Sequence, residues 1–176
     1  KDVKTGDYIV IGGYESAVDA AVNLLENGSS VKMLTRSAPW SASHIDDPSI
    51  SLSPYTRERL NRAMNNHLFE VYEDADVCEV VRTSGSSSTY QVHTTNGRAW
   101  LTDDVRILAT GFQCGGGARQ LSAFFEWNDE GYPVLTEEDS STLFPGLYLV
   151  GPHVRHARNI YCFIYKFRQR FPVVAE

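Results

Sequence analysis

Residues 8–21 read Tyr-Ile-Val-Ile-Gly-Gly-Tyr-Glu-Ser-Ala-Val-Asp-Ala-Ala, which predicts a short apolar strand, a glycine turn and the start of an amphipathic helix. A second apolar run at residues 31–34 predicts a parallel strand after the helix, and a βαβ unit of this kind spans about 30 residues. In such a unit the helix N-terminus points its free N–H groups and positive dipole end at an anion. This order of elements is typical of sites that bind the pyrophosphate of a dinucleotide.

The glycine turn departs from the usual Gly-x-Gly-x-x-Gly/Ala pattern at one position. Counted from Gly12, the third position is Ala17, but the second is Tyr14, where a glycine normally lets the backbone approach the phosphates. A tyrosine disfavours positive φ, so either this turn uses ordinary dihedral angles or the phosphate site is weakened. Glu15 suits the start of a helix but competes there with a bound anion.

Composition and charge exclude several kinds of partner. The chain has 176 residues and a formal net charge of -6, which argues against binding to nucleic acid or to an anionic membrane surface. No apolar run approaches the ~20 residues that span a bilayer. The cysteines are odd in number, form no Cys-x-x-Cys pair and predict neither a dithiol centre nor a metal site. We therefore expect reduced thiols in a cytoplasmic protein, at positions Cys78, Cys114 and Cys162.

Hydrophobic periodicity predicts an α/β fold that contains a three-stranded antiparallel meander. Asn96-Gly97 between two alternating runs is a hairpin signal, and Ser53 before Pro54 marks the start of a helix. The expected strands are residues 8–11, 31–34, 69–72, 76–82, 89–94, 98–101, 105–109 and 147–150, and the expected helices are residues 16–27, 54–65, 118–126 and 159–171.

This order of elements resembles the NAD(P)H-binding domain of flavoproteins that contain two dinucleotide-binding domains. That group includes thioredoxin-reductase-like enzymes and flavin monooxygenases. The resemblance lies in the glycine turn at residues 10–17, in Arg36, in Ile-Leu-Ala-Thr-Gly-Phe at residues 107–112 and in Phe-Pro-Gly-Leu-Tyr-Leu-Val-Gly-Pro at residues 144–152.

The resemblance implies two parts with different roles. Residues 1–111 would form a Rossmann-like NAD(P)H-binding domain, and residues 112–176 would form the C-terminal segment of an incomplete FAD-binding domain. The chain reads Gly151-Pro152 where relatives with a full FAD site usually read Gly-Asp, and no first nucleotide fingerprint precedes Lys1. We therefore expect the C-terminal portion of a longer flavoprotein that binds FAD, with this portion inactive by itself.

Arg36 follows the second strand, at the position that selects between the two nicotinamide cofactors. An acidic residue there would bind a ribose 2′-OH, whereas an arginine accommodates a 2′-phosphate, so the sequence favours NADP (NADPH) over NAD. A solvated surface arginine is the alternative. The candidate cofactor-binding residues are Gly12, Gly13, Tyr14, Glu15, Ser16, Ala17, Arg36, Ser37, Thr110 and Gly111.

Two functions from different classes are consistent with these patterns. The first is the pyridine-nucleotide-binding portion of an FAD-dependent oxidoreductase that passes hydride from NADPH to flavin. The second is a non-catalytic Rossmann-like module that binds a nucleotide or another protein. Tyr14 favours the second, whereas Arg36 and residues 107–112 favour the first.

The resemblance also implies the partners of the chain, while its substrate and catalytic residues are not evident from the sequence. The partners would be a pyridine nucleotide and either the missing N-terminal FAD half or a second copy that covers the aromatic C-terminal helix. The basic run at residues 153–158 either faces a flavin or nucleotide phosphate or forms a solvated approach to that helix, and we favour the second interpretation.

Overall fold

A computed structural model describes residues 3–41, 51–83, 89–103, 106–111, 117–156, 159–161 and 167–176. The chain forms two compact units, Lys1–Gly111 and Phe112–Glu176. In the described part, no helix combines the length and apolar character needed to cross a membrane.

The first unit is an α/β unit built on a parallel sheet. Along the chain its elements are β1 (Asp7–Ile11), α1 (Glu15–Glu26), β2 (Ser30–Leu34), α2 (Pro54–Ala63), β3 (Phe69–Tyr72), β4 (Val77–Arg82), β5 (Tyr90–Thr94), β6 (Ala99–Thr102) and β7 (Arg106–Leu108). The parallel sheet has the order β3-β2-β1-β7, and β4-β5-β6 form a separate antiparallel sheet. The predicted α/β fold with its meander is therefore confirmed.

The core of the first unit lies on both faces of β1, which explains why that strand reads as a continuous apolar run. Tyr8 and Val10 pack in a cluster with the buried face of α1 and with residues of α2. Ile9 and Ile11 lie in a second cluster that includes Val92 of the meander. Successive side chains of a strand point to opposite faces, so β1 joins the helical layer to the meander.

The helix after the glycine turn buries one face and then stops at a glycine. Val18, Ala21, Val22 and Leu25 are buried, as the helical spacing predicts. Gly28 follows the helix with φ +77°, which is the left-handed conformation typical of a residue that ends a helix.

The second unit consists of short strands and helical turns. Its elements are a 3₁₀ helix (Ala118–Phe124), β8 (Glu126–Trp127), β9 (Pro133–Val134), β10 (Arg155–His156), β11 (Asn159–Ile160), a 3₁₀ turn (Arg168–Arg170) and α3 (Phe171–Ala175). β8 pairs antiparallel with β9, and β10 pairs antiparallel with β11.

A buried carboxylate joins three segments of the second unit. Asp139 is fully buried and adopts φ +63°. Its carboxylate accepts two hydrogen bonds of 3.0 Å from the Arg170 guanidinium, and His156 Nε2 also contacts it. The Asp139 carboxylate raises the pKa of Arg170 above its usual value. These contacts fasten the C-terminal turn to the segment around Asp139 and to β10.

Two predicted elements of the second unit are wrong. Residues 147–150 form no strand, since the pairing is limited to an isolated bridge between Tyr148 and Ser140, where Leu149 N donates to Asp139 O. The helix expected from residue 159 is also wrong at its start, where β11 pairs with β10.

Other predicted segments differ less or lie outside the described residues. The helix expected at residues 118–126 is a 3₁₀ helix that ends at Phe124. Residues 162–166, the serine-rich turn at residues 84–88 and residue 105 at the expected start of β7 lie outside the described residues.

Candidate functional site

The predicted site residues follow three neighbouring strands of the parallel sheet. Gly12 N donates to Leu34 O at 2.9 Å, and Ala109 N donates to Ile11 O at 2.8 Å, so the carboxyl ends of β1, β2 and β7 lie side by side. β1 connects to β2 on one side and pairs with β7 on the other, which makes its end a topological switch point. Ligands of open α/β sheets bind in the crevice at such a point.

Gly12 has no room for a side chain and adopts a conformation that favours glycine. Its φ is +132°, and a Cβ placed there would lie 2.2 Å from Ala109 O. The turn therefore passes directly against the residue that follows β7. Thr110 and Gly111 continue from that residue, and Gly111 has φ +80° with open space around it.

Gly13 is restricted by a different neighbour. A Cβ at this position would lie 2.2 Å from Thr35 Oγ1 and 3.4 Å from Ser37 O. Thr35 Oγ1 in turn donates to Ser37 O at 2.6 Å, which holds the segment after β2 against the turn. The structure thus brings Gly13 and Ser37 together, as the sequence predicts for one site.

Tyr14 precedes α1 with an ordinary extended backbone. Its φ is -105° and the residue is 44% exposed, so at this position the turn uses ordinary dihedral angles, which is one of the two alternatives left open by the sequence. Tyr14 makes no side-chain capping bond, and the first helical bond runs from Val18 N to Tyr14 O. The N–H groups of Glu15, Ser16 and Ala17 therefore have no partner inside the helix.

The carboxylate of Glu15 is bound by the start of the second helix. It accepts hydrogen bonds from Ser53 N, from Ser53 Oγ at 3.2 Å and from Thr56 Oγ1. These donors hold the negative charge at the N-terminus of α2, where the helix dipole stabilises it. The sequence marked Ser53 as a helix cap but gave no signal that Glu15 would be its partner.

Arg36 extends from the end of β2 with its side chain 78% exposed. Its Nε lies 3.9 Å from Asp76 Oδ1, and the Asp76 side chain is 51% exposed. Sequence reasoning missed Asp76, which lies in the segment between β3 and β4. The signal that could have found it is the order β2-β3, because neighbouring parallel strands place their following segments side by side.

An aromatic hydroxyl at the end of β3 is hydrogen-bonded to a carboxylate. Tyr72 Oη donates to Glu70, and this contact lowers the pKa of Glu70 and raises the pKa of Tyr72. Burial adds to the rise for Tyr72. Both changes move the pKa values further from neutrality.

The residues at the carboxyl edge fit the pyrophosphate of a dinucleotide. The helix N–H groups have no side-chain cap from Tyr14, and the carboxylate of Glu15 in the first turn is engaged by Ser53 and Thr56. The absence of a Cβ at Gly12 and Gly13 lets the turn before these N–H groups pack closely on Ala109 and Thr35.

Solved structures with a similar fold include disulfide and thioredoxin reductases. The bacillithiol disulfide reductase Bdr (YpdA) from Staphylococcus aureus matches with a TM-score of 0.70 at 20% identity, over 97% of this chain and 50% of that protein. The Bdr (YpdA) from Bacillus cereus matches with a TM-score of 0.68 at 24% identity, over 96% and 48%. Thioredoxin reductase from T. acidophilum matches with a TM-score of 0.64 at 16% identity, over 96% and 50%. The chain spans about half the length of these proteins.

The family described as pyridine nucleotide-disulphide oxidoreductase matches residues 1–151. This match covers the glycine turn, the parallel sheet and the meander, and it confirms the resemblance inferred from the sequence. The family implies flavin and nicotinamide cofactors. The chain belongs to the pyridine nucleotide-disulphide oxidoreductase family.

Proposed function

We propose that this chain supplies the pyridine-nucleotide-binding portion of an FAD-dependent oxidoreductase, in which NADPH passes hydride to flavin. The observation that carries the proposal is the start of α1, whose N–H groups lie uncapped by Tyr14 at the switch point of the sheet. A helix N-terminus of this kind is a general anion site. This chain spans about half the length of the Bdr (YpdA) structure, and the whole oxidoreductase reaction would also require the part that it does not span.

The chain's own residues would bind and orient the nucleotide. The N–H groups of Ser16 and Ala17 would donate to the pyrophosphate, while Gly12 and Gly13 keep the turn flat against β7 and β2. Ser53 and Thr56 would hold the Glu15 carboxylate away from the phosphates. The bound nicotinamide would supply the hydride, and the protein would fix its position.

Arg36 would bind the 2′-phosphate that distinguishes NADPH from NADH. Its guanidinium is mostly exposed and its one described ion pair, with Asp76, is long, so it can turn toward a ligand without breaking a buried contact. Arginine matches phosphate through two parallel N–H donors.

Calorimetric titration of NADPH and NADH into the chain and into Arg36→Ala tests this assignment. A hydrogen bond to a charged group contributes about 1.5–3 kcal/mol, so we expect NADPH affinity to fall about tenfold to a hundredfold. NADH affinity should change little. Arg62→Ala, which removes another exposed and ion-paired arginine, is the matched control and should leave both affinities unchanged. Equal losses for the two cofactors in Arg36→Ala would contradict the assignment.

A second candidate is a non-catalytic Rossmann-like module that binds a nucleotide or a protein. It is favoured by the packing of Gly12 on Ala109 and of Gly13 on Thr35, because this packing explains both glycines without a ligand. The same titrations separate the candidates. A folded chain that binds neither NADPH nor NADH would favour a protein-interaction module.

A further inference from the structure

We propose that Asp76 tunes the nucleotide preference of this site by competing with a 2′-phosphate for Arg36. This inference rests on the proposed function and concerns a residue outside the predicted site. Among the residues that the structure describes, the Asp76 carboxylate pairs with the Arg36 guanidinium, 3.9 Å from its Nε. Its charge would oppose a phosphate and would favour a ribose hydroxyl that donates to it.

Two backbone hydrogen bonds hold the segment of Arg36 beside the segment of Asp76. Thr35 N donates to Tyr72 O at 3.0 Å, and Ala75 N donates to Thr35 O at 2.8 Å. Arg36 directly follows Thr35, and Asp76 directly follows Ala75. Thr35 and Ala75 are both buried, so the fold places the backbones of Arg36 and Asp76 close together and their side chains within reach of each other.

The segment that carries Asp76 is also held by the meander. Thr95 N donates to Asp76 O at 2.9 Å, and the side chain of Asn96 donates to Asp74 O at 2.7 Å. Asp74 adopts φ +56°, a conformation that a tight turn imposes. The backbone of Asp76 is therefore fixed while its carboxylate remains half exposed at the carboxyl edge of the sheet.

This pair of side chains could interact with either a 2′-phosphate or a ribose 2′-OH. A 2′-phosphate would gain charge-assisted hydrogen bonds from Arg36 but would also approach the carboxylate of Asp76. A ribose 2′-OH could instead donate to that carboxylate, as an acidic residue does in NAD sites. Exposed charges at this distance interact weakly, so Asp76 should shift the preference modestly and not reverse it.

The test compares AMP with adenosine 2′,5′-bisphosphate, two probes that differ only in the 2′-phosphate. Their dissociation constants are measured by NMR titration of the chain and of Asp76→Asn. We expect Asp76→Asn to bind adenosine 2′,5′-bisphosphate about two- to fivefold more tightly, and AMP with a change below about twofold. Raising the salt concentration should reduce the difference, because the interaction is between exposed charges.

Asp74→Asn is the matched control. It removes the same charge two residues earlier, and asparagine tolerates the positive φ of that position. An equal gain in Asp74→Asn, or an unchanged ratio in Asp76→Asn, overturns the role of Asp76 while leaving the proposed function standing. Failure of the chain to bind either probe overturns both.

Discussion

Gly12 and Gly13 stand side by side in the sequence, but different neighbours exclude a side chain at each. Gly12 faces a backbone carbonyl, that of Ala109, which cannot move without disturbing β7. Gly13 faces the hydroxyl of Thr35, a side-chain atom. A glycine fingerprint therefore contains two separate packing requirements in addition to any phosphate contact.

Gly12→Ala should destabilise the fold by at least about 2 kcal/mol, because strain at positive φ adds to a backbone overlap. Gly97→Ala is the matched control, since Gly97 has φ +83° and no atom lies within 4 Å of the place that a Cβ would take. That change should lower the free energy of unfolding by about 1–2 kcal/mol from conformation alone. Urea unfolding measures both values. Equal losses in the two variants would show that the approach of Ala109 does not matter.

At the scale of elements, Glu15 links the starts of the two helices. The residue begins α1, but its carboxylate accepts its hydrogen bonds from Ser53 and Thr56 at the start of α2. One acidic side chain thereby satisfies donors of a helix that lies distant in sequence, including the backbone N–H of the capping residue. The orientation of α2 against α1 depends on this contact together with the apolar cluster that they share.

Glu15→Gln should lower the free energy of unfolding by about 1–2 kcal/mol, because an amide offers one acceptor oxygen in place of two charged ones. Ser53→Ala should cost a similar amount through the lost cap, about 0.5–2 kcal/mol. The double variant should lose less than the sum, by at least about 0.5 kcal/mol, since both changes remove one contact. Glu58→Gln, on the exposed face of α2, is the control and should change little. Strict additivity in urea unfolding would argue against the link.

The sequence predicted the elements of the first unit well because their signals are local. Apolar runs, the Ser53-Pro54 cap and the Asn96-Gly97 turn each depend on adjacent residues, and the structure confirms the elements they mark. In the second unit, the apolar run at residues 147–150 read as a strand, but its hydrogen bonds go to the turn around Asp139. That pairing depends on tertiary contacts, which periodicity does not encode.

The candidate site was predictable in its location but not in its charges. Strand ends and glycines place the residues after β1, β2 and β7 at one edge of the sheet. The partner of Glu15 and the position of Asp76 beside Arg36 arise from segments distant in sequence, so no local pattern reveals them.

At the scale of the whole molecule, the buried carboxylate of Asp139 is the main polar anchor described in the second unit. It binds Arg170 near the C-terminus and His156 of β10 in the same place. A buried carboxylate that loses its cationic partner is strongly destabilising, because its desolvation is no longer offset.

Arg170→Ala should therefore reduce the stability of the second unit by about 2–4 kcal/mol. Hydrogen exchange at the Leu149 amide, which bonds to Asp139 O, measures the effect at that position. Arg168→Ala removes an exposed arginine two residues earlier and should change exchange by less than about 0.5 kcal/mol in free energy. Unchanged protection in Arg170→Ala would show that His156 suffices to compensate the carboxylate.

The pairing of β1 with β7 has a consequence for the order in which the protein is made. Ile9 pairs with Arg106, and Gly12 packs on Ala109. The first strand therefore cannot form these contacts until residues 106–109 have left the ribosome. Chains are synthesised at about 5–20 residues per second, which leaves β1 without that neighbour for several seconds. During this interval the glycine turn lacks its packing contact with Ala109, so the site at the carboxyl edge of the sheet is incomplete. A nascent chain thus gains the completed carboxyl edge of its sheet only when the segment after the meander emerges.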